Sequence, residues 1–449
     1  MGGCVFGMVA GLRAEELDWV APGRALAAFA GEPWVAFLDS GGDAAGERAR
    51  WSFLCPWPME TLLCRDGAVW RNGEAVPGDV WGHLRDMRRP ERSGAPHGPF
   101  SGGVIGLASY EAGMRLEGVV SRHLAAGPEV VAASYEEALV FDRLERRLWW
   151  VSGRGLAAPD PRGAGGAGEA VPEVVFRPDM ERGAWLEAVR EVIRFIEAGD
   201  IFQANLTMRW RAAVPDGFDE GAAYRALRRG SPAPFGAYLR TPGFSLLSAS
   251  VERFVSMSAE GWVETRPIKG TAPPGTDERE AAAFVAALAA DEKENAENLM
   301  ITDLMRNDIG RVCAIGSVSV PQLCAVERFT HLHHLVSCVR GRLRGGLDAV
   351  DLLRATLPPG SVTGAPKRRA MEIIDAVEGS ARGAYCGSVF RIGRDGGLDS
   401  SVVIRSIARA GDRLEIGAGG GITFLSDPER EYDEMMLKVA PLLRVFGGG

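Results

Sequence analysis

Lysine is nearly missing from this chain. Of 51 basic side chains in 449 residues only four are lysine, at positions 269, 293, 367 and 438. A bias this strong substitutes arginine wherever a solvated positive charge is all that is needed. The retained amines are therefore candidates for work a planar, always-protonated guanidinium cannot do, as a nucleophile or a compact point charge. Other absences narrow the class. No run approaches the roughly 18 apolar residues of a membrane span, and Met1-Gly2-Gly3-Cys4 has no basic segment leading into an apolar core, so a cytoplasmic protein with no membrane partner is expected. The net charge of -8, with no arginine-rich run interleaved with aromatics, speaks against a nucleic-acid partner. Seven dispersed cysteines without a C-x-x-C pair fit neither a disulfide framework nor a structural zinc site. His331, His333 and His334 lie together but lack an acidic or cysteine partner at metal spacing.

The rest of the composition, 46% hydrophobic and 24% charged, is that of an ordinary globular chain. Residues 1–152 read as strand-rich, with short apolar runs at 34–38, 104–108, 138–141 and 148–151. A Gly/Ala/Pro tract at 153–172 is too poor in large apolar groups to pack and reads as a surface loop. From there to 449 the pattern mixes helices and strands. Trp185, Val189, Val192, Ile193 and Ile196 recur at helical spacing, and 278–306, 365–377 and 432–445 are further helical stretches. Helices and strands interspersed without a regular βαβ period predict an α+β protein with large sheets and helices packed outside.

Three constellations carry chemistry. Glu294 with Glu297, and Glu431 with Glu434, each place two carboxylates on one helical face, and two such helices facing each other would suit Mg²⁺, which takes few protein carboxylates and completes its shell with water and an anionic substrate. The same spacing also describes a solvated acidic face, with Lys438 four residues beyond Glu434 as an ordinary ion pair. Lys269, in Thr265-Arg266-Pro267-Ile268-Lys269-Gly270-Thr271, is either a strand-end lysine or an amine desolvated in a cleft. The Pro358–Lys367 turn offers hydroxyls and first-turn N–H groups that suit a carboxylate, but lacks the spacing of a nucleotide-binding P-loop. In Gly417-Ala418-Gly419-Gly420-Gly421-Ile422, glycine permits either close backbone approach to a ligand or a sheet bulge, and isoleucine ends any likeness to a dinucleotide fingerprint.

Over nearly its whole length the chain resembles the chorismate-utilising enzymes. The likeness rests on Glu297-Asn298-Leu299-Met300 through Asp303-Leu304-Met305-Arg306-Asn307-Asp308, on Gly360–Lys367, on Tyr385-Cys386-Gly387-Ser388, on Val403-Ile404-Arg405-Ser406, and on Gly419-Gly420-Gly421-Ile422 with Ser426-Asp427-Pro428. In the first half it rests on Ala49-Arg50-Trp51-Ser52-Phe53 and Gly102-Gly103-Val104-Ile105-Gly106. The resemblance implies one large unit of two sheets with helices outside, so that 153–172 is a loop and no domain border. It implies Mg²⁺ on Glu297 and Glu434, supported by Glu294 and Glu431, and chorismate held by Ser361, Tyr385, Arg405, Gly420, Gly421, Lys438 and His334. Glu252 matches the general acid, although the family usually has proline where Val251 stands.

Two positions separate the family's branches. Gln203 stands where the isochorismate and salicylate synthases carry a water-activating lysine, and glutamine takes no proton. Lys269 stands where anthranilate synthases carry alanine, so the Pro-Ile-Lys-Gly-Thr motif resembles the aminodeoxychorismate synthases, in which this lysine attacks the ring before ammonia displaces it. Ammonia then requires a separate glutaminase subunit, because no cysteine here sits in a Gly-x-Cys-x-Gly elbow. The anthranilate synthase large subunit is the alternative. Phe37-Leu38-Asp39-Ser40 loosely matches a Leu-Leu-Glu-Ser motif that neighbours a tryptophan pocket in several relatives. Lys293 remains as a plain surface charge.

Overall fold

Short apolar runs bounded by glycine and charge become strands, as at Ala36–Asp39, Gly103–Ala108, Glu137–Asp142 and Arg147–Ser152. The computed structural model describes residues 7–9, 12–42, 49–89, 98–100, 102–163, 171–329 and 332–447. Among them, strands form two sheets, of 13 and 12 strands, whose neighbours pair antiparallel. Both sheets draw on either side of the 153–172 tract. In the first, Ala36–Asp39 pairs with Phe235–Thr241, and in the second, Gly103–Ala108 pairs with Ser388–Gly393. Of the tract itself, residues 164–170 lie outside the described residues, as do His331 and the first six residues.

The faces of the sheets explain the layers. Phe53, Val140, Leu246 from one sheet and Leu107, Val131, Val389 from the other form a shared core between them. Against the outer face of the first sheet pack helices through Leu26, Trp185, Val189, Ile373 and Val439. Against the second pack helices through Leu84, Ile301, Met305 and Leu353. Among the described residues no helix is long and apolar enough to cross a membrane.

Local chemistry sets the boundaries. The helical stretch at 278–306 is two helices, Glu278–Ala290 and Glu292–Gly310. Asp291 interrupts them: its backbone is extended, and its carboxylate accepts the Glu294 N–H, so it caps the second helix where a continuous helix would have no use for it. The last long helix, Pro428–Leu443, starts a turn earlier than the apolar period because Asp427 caps it and Pro428 takes its first position. The glycine-dense run is not a bulge. It lies in the Arg413–Ile422 strand, in unbroken register with Gln203–Ala213.

One buried ionic network ties these parts together. Glu378 receives Arg209 at 2.9 Å and Arg382 at 2.6 Å, and also the Thr207 N–H and hydroxyl at 2.8 Å each. Arg382 reaches on to the carbonyls of Val362 and Asn205, and Glu111 accepts the N–H groups of Arg382 and Gly383. Burial pushes the Glu378 carboxyl up, but Arg382 and Arg209 outweigh it and hold it below the usual carboxylate range. Glu378→Gln leaves two buried guanidiniums short of counter-charge, and a loss of about 3–5 kcal/mol in urea unfolding is expected.

Candidate functional site

The Gln203–Ala213 and Arg413–Ile422 ladder forms the floor of the site. Pairing places Asn205 opposite Gly421 and Leu206 opposite Gly420. Side chains are excluded here. Any Cβ on Gly421 would collide with the Gln203 amide, any on Gly417 with the Tyr385 ring, and any on Gly419 with the backbone of Leu206 and Thr207. Gln203 is buried, and its Oε1 has no hydrogen-bond partner among the described residues.

Lys269 comes from Ile268–Ala272, an edge strand that pairs with Leu332–Arg342. Its register shifts between Lys269 and Thr271, where Gly270 takes φ +67°. Its side chain is 17% exposed and the amine lies 3.3 Å from Glu297 Oε2, so it is a largely desolvated amine held in an ion pair. A Cβ placed on Gly421 would stand 3.5 Å from the Lys269 Nζ, which brings the lysine to the glycine floor. Glu252 faces the same space. Burial pushes its carboxyl up, partly offset by a hydrogen bond from Ser361 and by the charge of Lys269. A carboxyl whose pKa is raised keeps its proton to higher pH, which suits a proton donor.

The four sequence-selected carboxylates converge from two helices. Glu297, buried on Glu292–Gly310, and Glu431, buried on Pro428–Leu443, both reach the Lys293 ammonium, at 3.9 and 3.4 Å. Ser426 donates to Glu431 at 2.7 Å. Burial raises Glu294, and Glu297 beside it adds to the shift. At Glu434 burial also raises, but Lys438 at 2.7 Å, with Lys293 and Lys269, outweighs it and holds the carboxyl low. Lys438 also donates to the Gly419 carbonyl at 3.1 Å. The donor set is hard oxygen, and among the described residues no three His, Cys, Asp or Glu side chains form a ready-made cage. Such a set suits a cation that keeps most of its shell for water and substrate.

Tyr385 is buried over Gly417, and burial raises its hydroxyl well above the usual value. Arg405 takes φ +50°, unusual for a non-glycine residue, and is an exposed cation without a hydrogen bond or ion pair among the described residues. A guanidinium held in strained backbone without a counterion is poised for an anion. His334 packs its ring nitrogen 3.3 Å from the Gly270 carbonyl, whereas His333 is buried and neither of its ring nitrogens has a hydrogen-bond partner among the described residues.

Three roles were not visible in the sequence. Lys293 is no plain surface charge, since it bridges Glu297 and Glu431 across two helices that only the fold brings together. Lys367 is buried. It pairs with Asp308 at 2.5 Å and donates to the carbonyls of Thr356 and Pro358, and so pins the turn that carries Ser361. Asn298 donates to the Leu335 carbonyl at 3.1 Å and accepts from Ser337, docking the carboxylate helix on the strand beside Lys269. Asp39 and Ser40 line a separate cleft of about 720 Å³ between the sheets, to which none of the candidate site residues described above contributes. The Asp39 carboxylate there is already taken by Arg228, Tyr224 and Ser52.

Residues 58–444 match the chorismate binding enzyme family. The chain belongs to that family. It is 38% identical over 428 residues to aminodeoxychorismate synthase component 1 of Klebsiella aerogenes, covering 92% of this chain and 93% of that protein. It is 39% identical over 427 residues to anthranilate synthase component 1 of Thermus thermophilus, covering 89% of each. Its fold superposes on the crystal structure of anthranilate synthase component I from Streptococcus pneumoniae TIGR4 with a TM-score of 0.76 at 29% identity, covering 89% of this chain and 94% of that one. The protein is thus a chorismate-binding enzyme, with the fold expected from its motifs.

The raised Glu252 carboxyl has a stability consequence. The unfolded chain releases this proton in the ordinary carboxylate range and the folded chain only at higher pH, so the group costs stability progressively as pH rises through that window. Glu252→Gln is expected to unfold at higher urea than the parent above neutrality. The difference vanishes well below the ordinary carboxylate range, where the parent is protonated in both states.

Proposed function

We propose that the enzyme is an aminodeoxychorismate synthase component I, converting chorismate and ammonia to 4-amino-4-deoxychorismate, the precursor of p-aminobenzoate for folate. The observation that carries this reading is Lys269 at the glycine floor, paired with Glu297 and electrostatically coupled to the half-buried Glu252. With its proton released to solvent, the neutral Lys269 Nζ attacks the ring carbon ortho to the carboxylate, the ring double bonds shift, and the C4 hydroxyl leaves as water with a proton from Glu252. Ammonia then attacks C4, the double bonds shift back, the neutral lysine amine is expelled, and the new C4 ammonium returns a proton to Glu252. The net change is exchange of a hydroxyl for an amine.

The site residues divide the remaining work. Arg405, with its free fork of donors, and Tyr385 take the enolpyruvyl carboxylate. The backbone at Gly420 and Gly421, Lys438, Ser361 and His334 line the ring, and Gln203, which cannot act as a base, leaves water unactivated. Glu297 and Glu434, supported by Glu294 and Glu431, would hold Mg²⁺, which when bound offsets the charge of the ring carboxylate. The "component 1" in the names of the relatives supports a second subunit, which we assign as a glutamine amidotransferase supplying ammonia. The anthranilate synthase reading is kept alive by the 39% identity to the Thermus thermophilus protein.

Incubating the protein with chorismate, Mg²⁺ and ammonium separates the two. The expected product yields p-aminobenzoate only after a lyase is added, and fluorescent anthranilate formed without one would overturn the proposal. Lys269→Ala is expected to lower the para product by about a thousandfold or more; unchanged turnover would refute the covalent role. EDTA is expected to abolish turnover and added Mg²⁺ to restore it.

A further inference from the structure

Lys293 is the amine that the proposed chemistry leaves without a task. It lies in the first turn of the Glu292–Gly310 helix, among Asp291, Glu292 and Glu294, where the helix dipole favours acids and disfavours a cation. Helix stability therefore does not account for a lysine there. Its side chain is 37% exposed and folds back among carboxylates, 3.9 Å from Glu297 and 3.4 Å from Glu431, with Glu434 also within electrostatic reach.

Those are the oxygens assigned above to the divalent cation. Mg²⁺ binds carboxylate oxygen at about 2.0–2.1 Å and tolerates no ammonium in the same place. In the structure four carboxylates, Glu294, Glu297, Glu431 and Glu434, meet three ammonium groups, Lys269, Lys293 and Lys438. Two of the three have partners on the substrate side, since Lys269 reaches the glycine floor and Lys438 the Gly419 carbonyl.

We propose that Lys293 is an internal competitor of the cation: its ammonium holds Glu297 and Glu431 together when metal is absent and must be displaced when metal binds. The consequence is coupling. Metal alone meets a cluster whose charge is mostly neutralised and binds weakly. A substrate carrying two carboxylates supplies the missing negative charge, so metal and substrate favour each other's binding, reciprocally. This rests on the Mg²⁺ site proposed above, and the test separates the two.

The experiment is calorimetric titration of Mg²⁺, without chorismate, into the full-length metal-free protein, its Lys293→Met and Lys293→Gln variants and the charge-preserving Lys293→Arg, with thermal melting of each in EDTA. Removing the ammonium is expected to tighten Mg²⁺ binding about tenfold and to lower the melting temperature in EDTA, because the carboxylates lose their counterion. Lys293→Arg is expected to bind Mg²⁺ no more tightly than the parent. If Lys293→Met does not fold, Lys293→Gln is read by the same criterion. Neutral variants that bind Mg²⁺ as the parent does, or more weakly, overturn the role of Lys293 and leave the metal site standing. A parent that takes up no Mg²⁺, alone or with chorismate, overturns the metal site itself and the inference with it.

Discussion

The buried Glu378 carboxylate fixes where the pieces of the site stand. It is met by Arg209 and Arg382 from different parts of the chain and by Thr207 on the glycine-paired strand. Through Arg382 the same network holds Val362 in the turn after Ser361 and Asn205 on the floor, while Glu111, from the first half of the chain, holds the backbone at Arg382 and Gly383 just before Tyr385. Charges taken out of water hold only in good geometry with every lone pair used, so the network tolerates few arrangements of these segments. That rigidity positions Ser361, Tyr385 and Gln203 relative to one another.

Upon this frame the site is a balance of amines and acids. Each of the four lysines pairs with a carboxylate, yet the pairs differ in depth. Lys367 and Asp308 are sealed and structural. Lys269, Lys293 and Lys438 lie around four carboxylates from two helices, half open to solvent, where a cation or an anionic substrate can rearrange them. The Arg405 guanidinium, by contrast, has no ion pair or hydrogen bond among the described residues.

Much of this was legible in advance because it is local. Short apolar runs marked the strands at 137–142 and 147–152, and a helical apolar period marked the helix of Trp185, Val189 and Val192. The pairing of Glu294 with Glu297 and of Glu431 with Glu434 follows from helical spacing, and the motif around Lys269 marked it out. What escaped is what depends on distance. Asp291 split one expected helix into two because its side chain competes for backbone N–H groups. The choice between bulge and close approach at Gly417–Gly421 turned on Tyr385 and Gln203, which come from elsewhere in the chain. Lys293 looked like surface charge because its partner Glu431 lies on another helix.

The sequence by itself determined the residue types: a lysine retained against a strong arginine bias, two acid pairs at helical spacing, and a glycine-dense run. Only the tertiary structure decided which of them meet. Periodicity reports the face of one element, whereas an ion pair between Lys269 and Glu297, or between Lys293 and Glu431, exists only once sheet pairing and helix docking bring separate elements within about 4 Å, the range over which such charges act strongly.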